Sequence, residues 1–474
     1  MKEWAKAWLT EQRKQGEKGL EVKEINSNYY VYRSTSYWDK QLKKRRKTSK
    51  YIGKLDSNKG LIEGVKRSIT GKNLRGIKEY GNAILLDRLL ADMRSCLKDA
   101  FDSEWEEIYA LMITRAMGYA PLKRVRAAWD KLYNAQNINP NLDAKNLSRV
   151  LKTVGIDSHA QESVFKALSE KDIDLVYDLS AIVTRSSINF AELGYNKNKI
   201  HIPQINIALF CSLATGLPTM IRTIPGSVRD IKSLNNSIVE AKREGSTIIL
   251  DRGFFSKETI KFLLEKKMNF ILPARRNSQL YDTGIDLNNH FFYHKRLIKF
   301  GKAKFGNIFL YLYEDQQLML EENISLYKKR DEDKIDINRF SELRERAGKI
   351  LIVSNLDLDG NIIFMQYKSR DRIEKLFDTY KNILQADILY LQDDESVFGH
   401  NFISFLSLYA YTKIEIALKN ADLLNNHSPR DLLLDLSKVY FVELNDCNII
   451  SEVPKKLEKL DAKMGLNLFP KNRS

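Results

Sequence analysis

The chain has 474 residues, 43% hydrophobic and 29% charged, which excludes a disordered protein and leaves room for about three domains. Lys and Arg outnumber Asp and Glu by 77 to 61, and the net charge of +16 points to a polyanion, nucleic acid before an acidic membrane surface. Cys96, Cys211 and Cys447 lie far apart with no CxxC, which excludes a disulfide framework or a cysteine zinc site and fits a reducing compartment.

Residues 1–95 open on an amphipathic helix without a signal-like apolar core. A Tyr-rich strand, NYYVYRSTSYW, follows, then the basic run KQLKKRRKTSK with Lys43, Lys44, Arg45, Arg46 and Lys47. The strand YIGKL pairs back, giving a long hairpin with a basic tip. Cations there suit phosphates, and Tyr30, Tyr32, Tyr37 and Trp38 suit base stacking; a solvated loop beside an ordinary aromatic strand reads equally well.

Residues 96–170 read as helical, with capping-box patterns at Ser103/Glu106 and Ser158/Gln161. Lys123, Arg124 and Arg126 accompany a helix that also carries Trp129, which fits a DNA-end-binding unit or a plain linking bundle.

From residue 171 to 273 the texture is α/β. Strands are expected at KDIDLVYDLSAI, INIALFCSLA, PTMIRTIPG, TIILDRG and NFILPA, with helices at DIKSLNNSIVEAKRE and FSKETIKFLLEKK. Three consecutive strands followed by helix-strand-helix-strand predict a mixed sheet. Polar residues, Gly216 and Pro218 interrupt the apolar stretch 205–221, so it reads as two buried strands joined at Ala214–Pro218, and the protein is expected to be soluble and cytoplasmic.

Residues 274–365 read as a β-rich insertion, with strands at FFYHKRLIKF, NIFLYLYED and KILIVSNL and a hairpin turn at Asp359-Gly360. His290 and His294 fall in a turn-to-strand segment and carry no metal motif. Residues 366–425 return to helix, and 426–474 form a short mixed tail.

Asp178 lies in a strand flanked by Ile173, Leu175 and Val176, where a carboxylate needs a partner, an ion or solvent. Asp251 ends a second apolar strand, the usual place for functional groups in α/β folds. Tyr367, Arg370, Glu374 and Lys381 fall within an arc of roughly 60° on one helix face at about 100° per residue. A surface helix with an Arg370–Glu374 pair fits the same spacing, and Asp371 and Asp378 lie near that face too.

The four residues match Tyr-x2-Arg-x3-Glu-x6-Lys, and on that signature the chain resembles the IS4-type DDE transposases. NLDLDGNIIFMQYKSRDRIEKLFDTYK, the N-terminal hairpin, IILDRGF and VFGHNFISFL resemble the IS1634-like branch. The resemblance implies an RNase H-like mixed-sheet α/β catalytic domain interrupted by a β-rich insertion, behind an N-terminal β-hairpin and helical DNA-binding region. It implies catalysis and metal binding by Asp178, Asp251 and Glu374, with Mg2+ or Mn2+ as the cofactor, in two ions. Tyr367, Arg370 and Lys381 would contact transposon-end phosphates, in a homodimer on double-stranded DNA that cleaves and joins strands at terminal inverted repeats. An RNase H-like nuclease without strand transfer, or an inactive transposase-derived DNA-binding protein, is the alternative. Hairpin-forming relatives receive a flipped base on an insertion Trp; all five Trp here precede the catalytic region, leaving Phe292, Tyr311 or Tyr313 as substitutes.

Overall fold

The computed structural model describes residues 1–25, 28–39, 44–57, 60–63, 74–118, 120–169, 174–194, 202–228, 245–445 and 447–469. Lys43, Ile173 and the whole helix expected over DIKSLNNSIVEAKRE lie outside them. The chain forms two compact units, Met1–Arg75 with Glu443–Cys447, and Gly76–Val442 with Asn448–Ser474.

In the first unit, α1 (Glu3–Lys14) precedes an antiparallel sheet ordered β1 (Leu20–Ile25), β2 (Asn28–Asp39), β3 (Lys44–Asp56), β4 (Gly60–Glu63). Its core is small: Ala5, Leu20, Tyr29, Val31 and Leu55, with Trp4 edge-on to Tyr29. Past a bulge at Val31/Tyr32 the ribbon of β2 and β3 runs out into solvent, held by Ser34–Ser49 and Thr35–Thr48 hydroxyl pairs. Most of the basic run is therefore strand, with Trp38 opposite Arg45, Tyr37 opposite Arg46 and Ser36 opposite Lys47.

The chain enters the second unit within β5 (Leu74–Glu79), then forms α2 (Gly81–Leu89), α3 (Ala91–Ala100), α4 (Trp105–Met117), α5 (Leu122–Trp129), α6 (Ala144–Ile156) and α7 (Ser158–Ser169). Neither expected capping box forms. Ser103 bonds to Glu104, while Glu106 accepts the Asn139 amide at 2.8 Å. Asp157, one residue earlier than Ser158, accepts the Ala160 amide at 2.9 Å. At Asp157 a carboxylate takes the helix-end amide in place of the neighbouring Ser158 hydroxyl.

A nine-stranded mixed sheet forms the centre. Its strands are β6 (Leu175–Val183), β7 (Gln204–Ser212), β8 (Pro218–Pro225), β9 (Thr247–Ile249), β10 (Asn269–Pro273), β11 (Asn289–Tyr293), β12 (Arg296–Phe305), β13 (Ile308–Asp315) and β14 (Lys349–Ser354), in the order β11-β12-β13-β14-β10-β9-β6-β7-β8. The meander β6-β7-β8 is antiparallel, and β9 runs parallel to both β6 and β10. The 274–365 block thus adds four strands to this sheet, together with α9 (Gln316–Asp331) and α10 (Ile337–Glu345), while α8 (Lys257–Glu265) joins β9 to β10. FFYHKRLIKF is two strands; His294 and Lys295, both at positive φ, form the two-residue turn between them.

The expected Asp359-Gly360 hairpin is a helix start. Asp359 accepts the Asn361 amide at 2.8 Å and caps α11 (Gly360–Lys368). A Cβ on Gly360 would sit 2.3 Å from the Phe300 ring, so glycine serves close packing there. The helix expected to run on from Gln366 is broken into α11, α12 (Asp371–Asp378) and a π-helical turn at Thr379–Ile383.

The last long element, α13 (Asp394–Asn420), is buried on most of its circumference and packs on α4, α6 and β8. Contact with α6 is so close that a Cβ on Gly155 would lie 1.8 Å from the Glu395 carbonyl, and one on Gly399 would lie 1.9 Å from that of Leu151. Next to this seam His400 donates from Nε2 to the Ala386 carbonyl at 3.0 Å and accepts at Nδ1 from Arg115 at 3.3 Å. Burial, then the Arg115 charge, push His400 down to about 3, so it stays neutral. The chain continues through α14 (Pro429–Leu436) and α15 (Lys455–Met464). No helix among the described residues is long and apolar enough to cross a membrane.

Candidate active site

The parallel pairing of β6 with β9 sets Leu175 against Ile248 and Val176 against Ile249. Extending that register by two residues brings Asp178 level with Asp251. Asp251 lies just past β9 and precedes a single 3-10 turn, Arg252–Phe254, so the strand ends where its carboxylate begins. Tyr177 of β6 packs against Phe210 of β7 and Phe254 of the 3-10 turn, which ties that turn to the sheet.

Glu374 arrives from the other direction. α12 buries Ile373, Leu376 and Phe377, and packs on β6 and β7. Two side chains tie it down: Arg372 donates to the Leu213 carbonyl at 2.5 Å, and Lys381 to that of Ala181 on β6 at 2.7 Å. Between α11 and α12 the backbone bonds Arg370→Tyr367, Arg372→Ser369 and Ile373→Arg370 span three residues each. This tight turn aims Arg370 at Asp178 and Asp251.

The three carboxylates meet on Arg370. Its Nη1 stands 2.9 Å from Asp251 Oδ1 and 3.8 Å from Asp178 Oδ2, and its Nη2 stands 2.7 Å from Glu374 Oε1. Arg370 is 17% exposed, Asp178 18%, Asp251 37% and Glu374 55%. Burial pulls the guanidinium pKa down, yet Asp251, Tyr367, Asp178 and Glu374 together hold it above its ordinary value. Tyr367 is nearly buried, and burial raises its phenol, so it stays neutral beside Arg370, Arg252 and Asp251. Among the described residues no three Asp, Glu, His or Cys side chains stand close enough together to hold one ion directly. The carboxylates surround the guanidinium instead. Lys381, expected in the same stripe, has its ammonium at the Ala181 carbonyl; it lies within the π-turn Thr379–Ile383, where the angular step per residue differs from that of an α-helix.

Arg252 escaped the sequence reading, although it directly follows Asp251. Its Nε is shielded from solvent and has no hydrogen-bond partner. Of the aromatics considered as base acceptors, Tyr311 and Tyr313 are core residues whose hydroxyls bond to the carbonyls of Leu356, Leu358 and Gly360. Phe292 is 72% exposed.

In the first unit, Lys44, Arg45 and Arg46 are exposed on the ribbon with Trp38 and Tyr37. Lys47 is paired with Glu21 and Arg33 with Glu17. Lys123, Arg124 and Arg126 are exposed on α5.

Residues 169–410 match the family described as transposase DDE domain, a span covering half of the chain. Among solved structures, one similar chain is the piggyBac transposase in a cryo-EM structure of its synaptic complex with hairpin DNA. That likeness has 12% identity and a TM-score of 0.38, and covers 83% of this chain and 77% of the other. No curated protein matches the chain.

Proposed function

The chain belongs to the transposase DDE domain family and is a DNA transposase, and from that footing we propose that Asp178, Asp251 and Glu374 are its catalytic carboxylates. What supports this reading is their convergence on one guanidinium, Asp178 from the middle of β6, Asp251 from just past the end of β9 and Glu374 from α12. The five-strand core, a meander followed by two strands parallel to its first, supports an RNase H-like assignment. The Tyr367-Arg370-Glu374-Lys381 signature supports placement with IS4-type elements, in the IS1634-like branch.

The family uses divalent metal ions, and the donor set fits them: three carboxylates offer only oxygen, the ligand hard cations prefer, and they already gather round a positive group. We assign Mg2+ or Mn2+, in two ions; bound there, they would supply charge neutralisation at the scissile phosphate and a more acidic nucleophile. The chain's own residues do the rest. Asp178 and Asp251, fixed by strand register, form the rigid side of the site. Glu374, half-exposed on α12, forms the adjustable side. Arg370, and Tyr367 beside it, would meet phosphate oxygens of the transposon end; Lys381 would join them on leaving Ala181. The attacking oxygen, from water and later from the freed 3′-hydroxyl, bonds to phosphorus as the P–O3′ bond breaks.

The exposed ribbon around Lys44–Lys47, with Lys43, is assigned to backbone contacts on double-stranded DNA. The enzyme acts at terminal inverted repeats as a homodimer, with residues 96–170 also meeting the ends. Asp251→Asn tests the site on a duplex carrying the element's own terminal repeat. Cleavage is expected to fall on the order of a thousandfold or more while end binding persists. Retained metal-dependent cutting by that variant would refute the assignment.

A further inference from the structure

We propose that Arg370 is the site's internal counter-ion, and that it must leave the three carboxylates for a divalent ion to enter, drawn away by a DNA phosphate. This rests on Asp178, Asp251 and Glu374 being the metal ligands.

The geometry carries it. Both terminal nitrogens of Arg370 are engaged, Nη1 with Asp251 and Asp178 and Nη2 with Glu374. The carboxylates are spread around a planar fork, and as they stand no three of the described acidic, histidine or cysteine side chains can share an ion. An ion entering that cage would meet a fixed positive charge in a site where Arg370 is only 17% exposed, so solvent screens the repulsion weakly. A guanidinium does not lose its proton at any working pH, so acidity offers no release. Only a competing anion does, and a phosphate matches the same fork in two-point geometry. The turn at Ser369–Ile373 holds the Arg370 backbone, but the long side chain can swing from carboxylate to phosphate without moving α12. Metal entry then waits for DNA, which keeps the unbound enzyme from cutting indiscriminately.

The test is Mn2+ binding to the full-length protein, followed by electron paramagnetic resonance, with and without a non-cleavable duplex of the terminal repeat. Without DNA, Arg370→Gln should bind Mn2+ about tenfold more tightly than the unaltered protein, a gap of about 1.4 kcal/mol. Arg370→Lys, which keeps the charge but loses the fork, should fall between. DNA should tighten Mn2+ binding to the unaltered protein and leave Arg370→Gln nearly unchanged. Equal affinities for the two proteins without DNA overturn the counter-ion role. If Asp251→Asn leaves Mn2+ binding unchanged, the ligand assignment itself fails, which is a separate outcome. Thermal melting in chelator guards against misfolding: Arg370→Gln should melt lower than the unaltered protein, and added Mn2+ should raise it by more. A melt insensitive to Mn2+ also counts against the proposal.

Discussion

The ribbon of the first unit and the carboxylate cluster of the second both gather charge, and they do so in opposite ways. On the ribbon, the cations of β3 stand opposite Trp38 and Tyr37 of β2 along two exposed strands, with little behind them except a five-residue core. In the second unit, one guanidinium and three carboxylates gather beside mid-β6 and the residue just past β9, each aimed by strand register or by a helix tied down by Arg372 and Lys381. Exposed charges are interchangeable and act by their sum, because water and salt screen each one. Half-buried charges act individually, because their positions are set by packing and their partners are few.

That contrast orders the expected effects. The largest is the loss of cleavage assigned to Asp251→Asn, one oxygen replaced by nitrogen on a half-buried group. Next comes packing. Gly399→Val would force a side chain against the Leu151 carbonyl at the α6–α13 seam, which should destabilise the protein by about 3 kcal/mol in urea unfolding. A loss under about 0.5 kcal/mol would mean the seam is looser than its contacts imply.

The ribbon should behave as a sum. Neutralising Lys43, Lys44, Arg45, Arg46 and Lys47 together should weaken duplex binding and flatten its salt dependence by about 0.9 per lost phosphate contact on a log–log plot. Lys47, already paired with Glu21, should contribute least. Fluorescence anisotropy over a salt series checks this, and the melting temperature should not move. An unchanged affinity would make the ribbon a bystander.

The smallest expected effect concerns His400. Its folded pKa lies near 3 against an unperturbed 6.5, so the unfolded chain binds more protons between those values. Stability should therefore be intact above about pH 6.5 and decline below it, by up to about 1.4 kcal/mol per pH unit at this one group. His400→Gln should remove that share of the slope between pH 7 and pH 5 in urea titrations. An identical slope in the variant would assign acid sensitivity elsewhere.

Much of the candidate site was legible before any coordinates. Asp178 stood out as a carboxylate among apolar strand residues and Asp251 as a strand ending, whereas Arg370 and Glu374 were picked out by the Tyr-x2-Arg-x3-Glu-x6-Lys signature, because helical spacing alone fits an ordinary surface pair as well. The two strands within 205–221 were legible from the polar residues, Gly216 and Pro218 that interrupt a continuous apolar run. Less legible was whatever depended on competition between nearby partners. Asp157 displaces Ser158 as a cap, Asp359-Gly360 starts a helix where a turn was expected, and the 360–383 segment bends at Ser369 and widens into a π-turn that contains Lys381. Each alternative is locally reasonable, and distant packing, such as Phe300 over Gly360, selects among them.

The sequence by itself determined the residue types: a basic excess, two strand-borne aspartates, and an arginine and a glutamate four residues apart. Tertiary structure alone decided that Asp178 and Asp251 are level in a parallel register and that Arg370 turns inward to hold all three carboxylates. Periodicity reports which face of an element is buried, but it carries no record of which other element that face will meet. Alignment across a sheet and charge pairing across a cleft exist only once remote segments have packed.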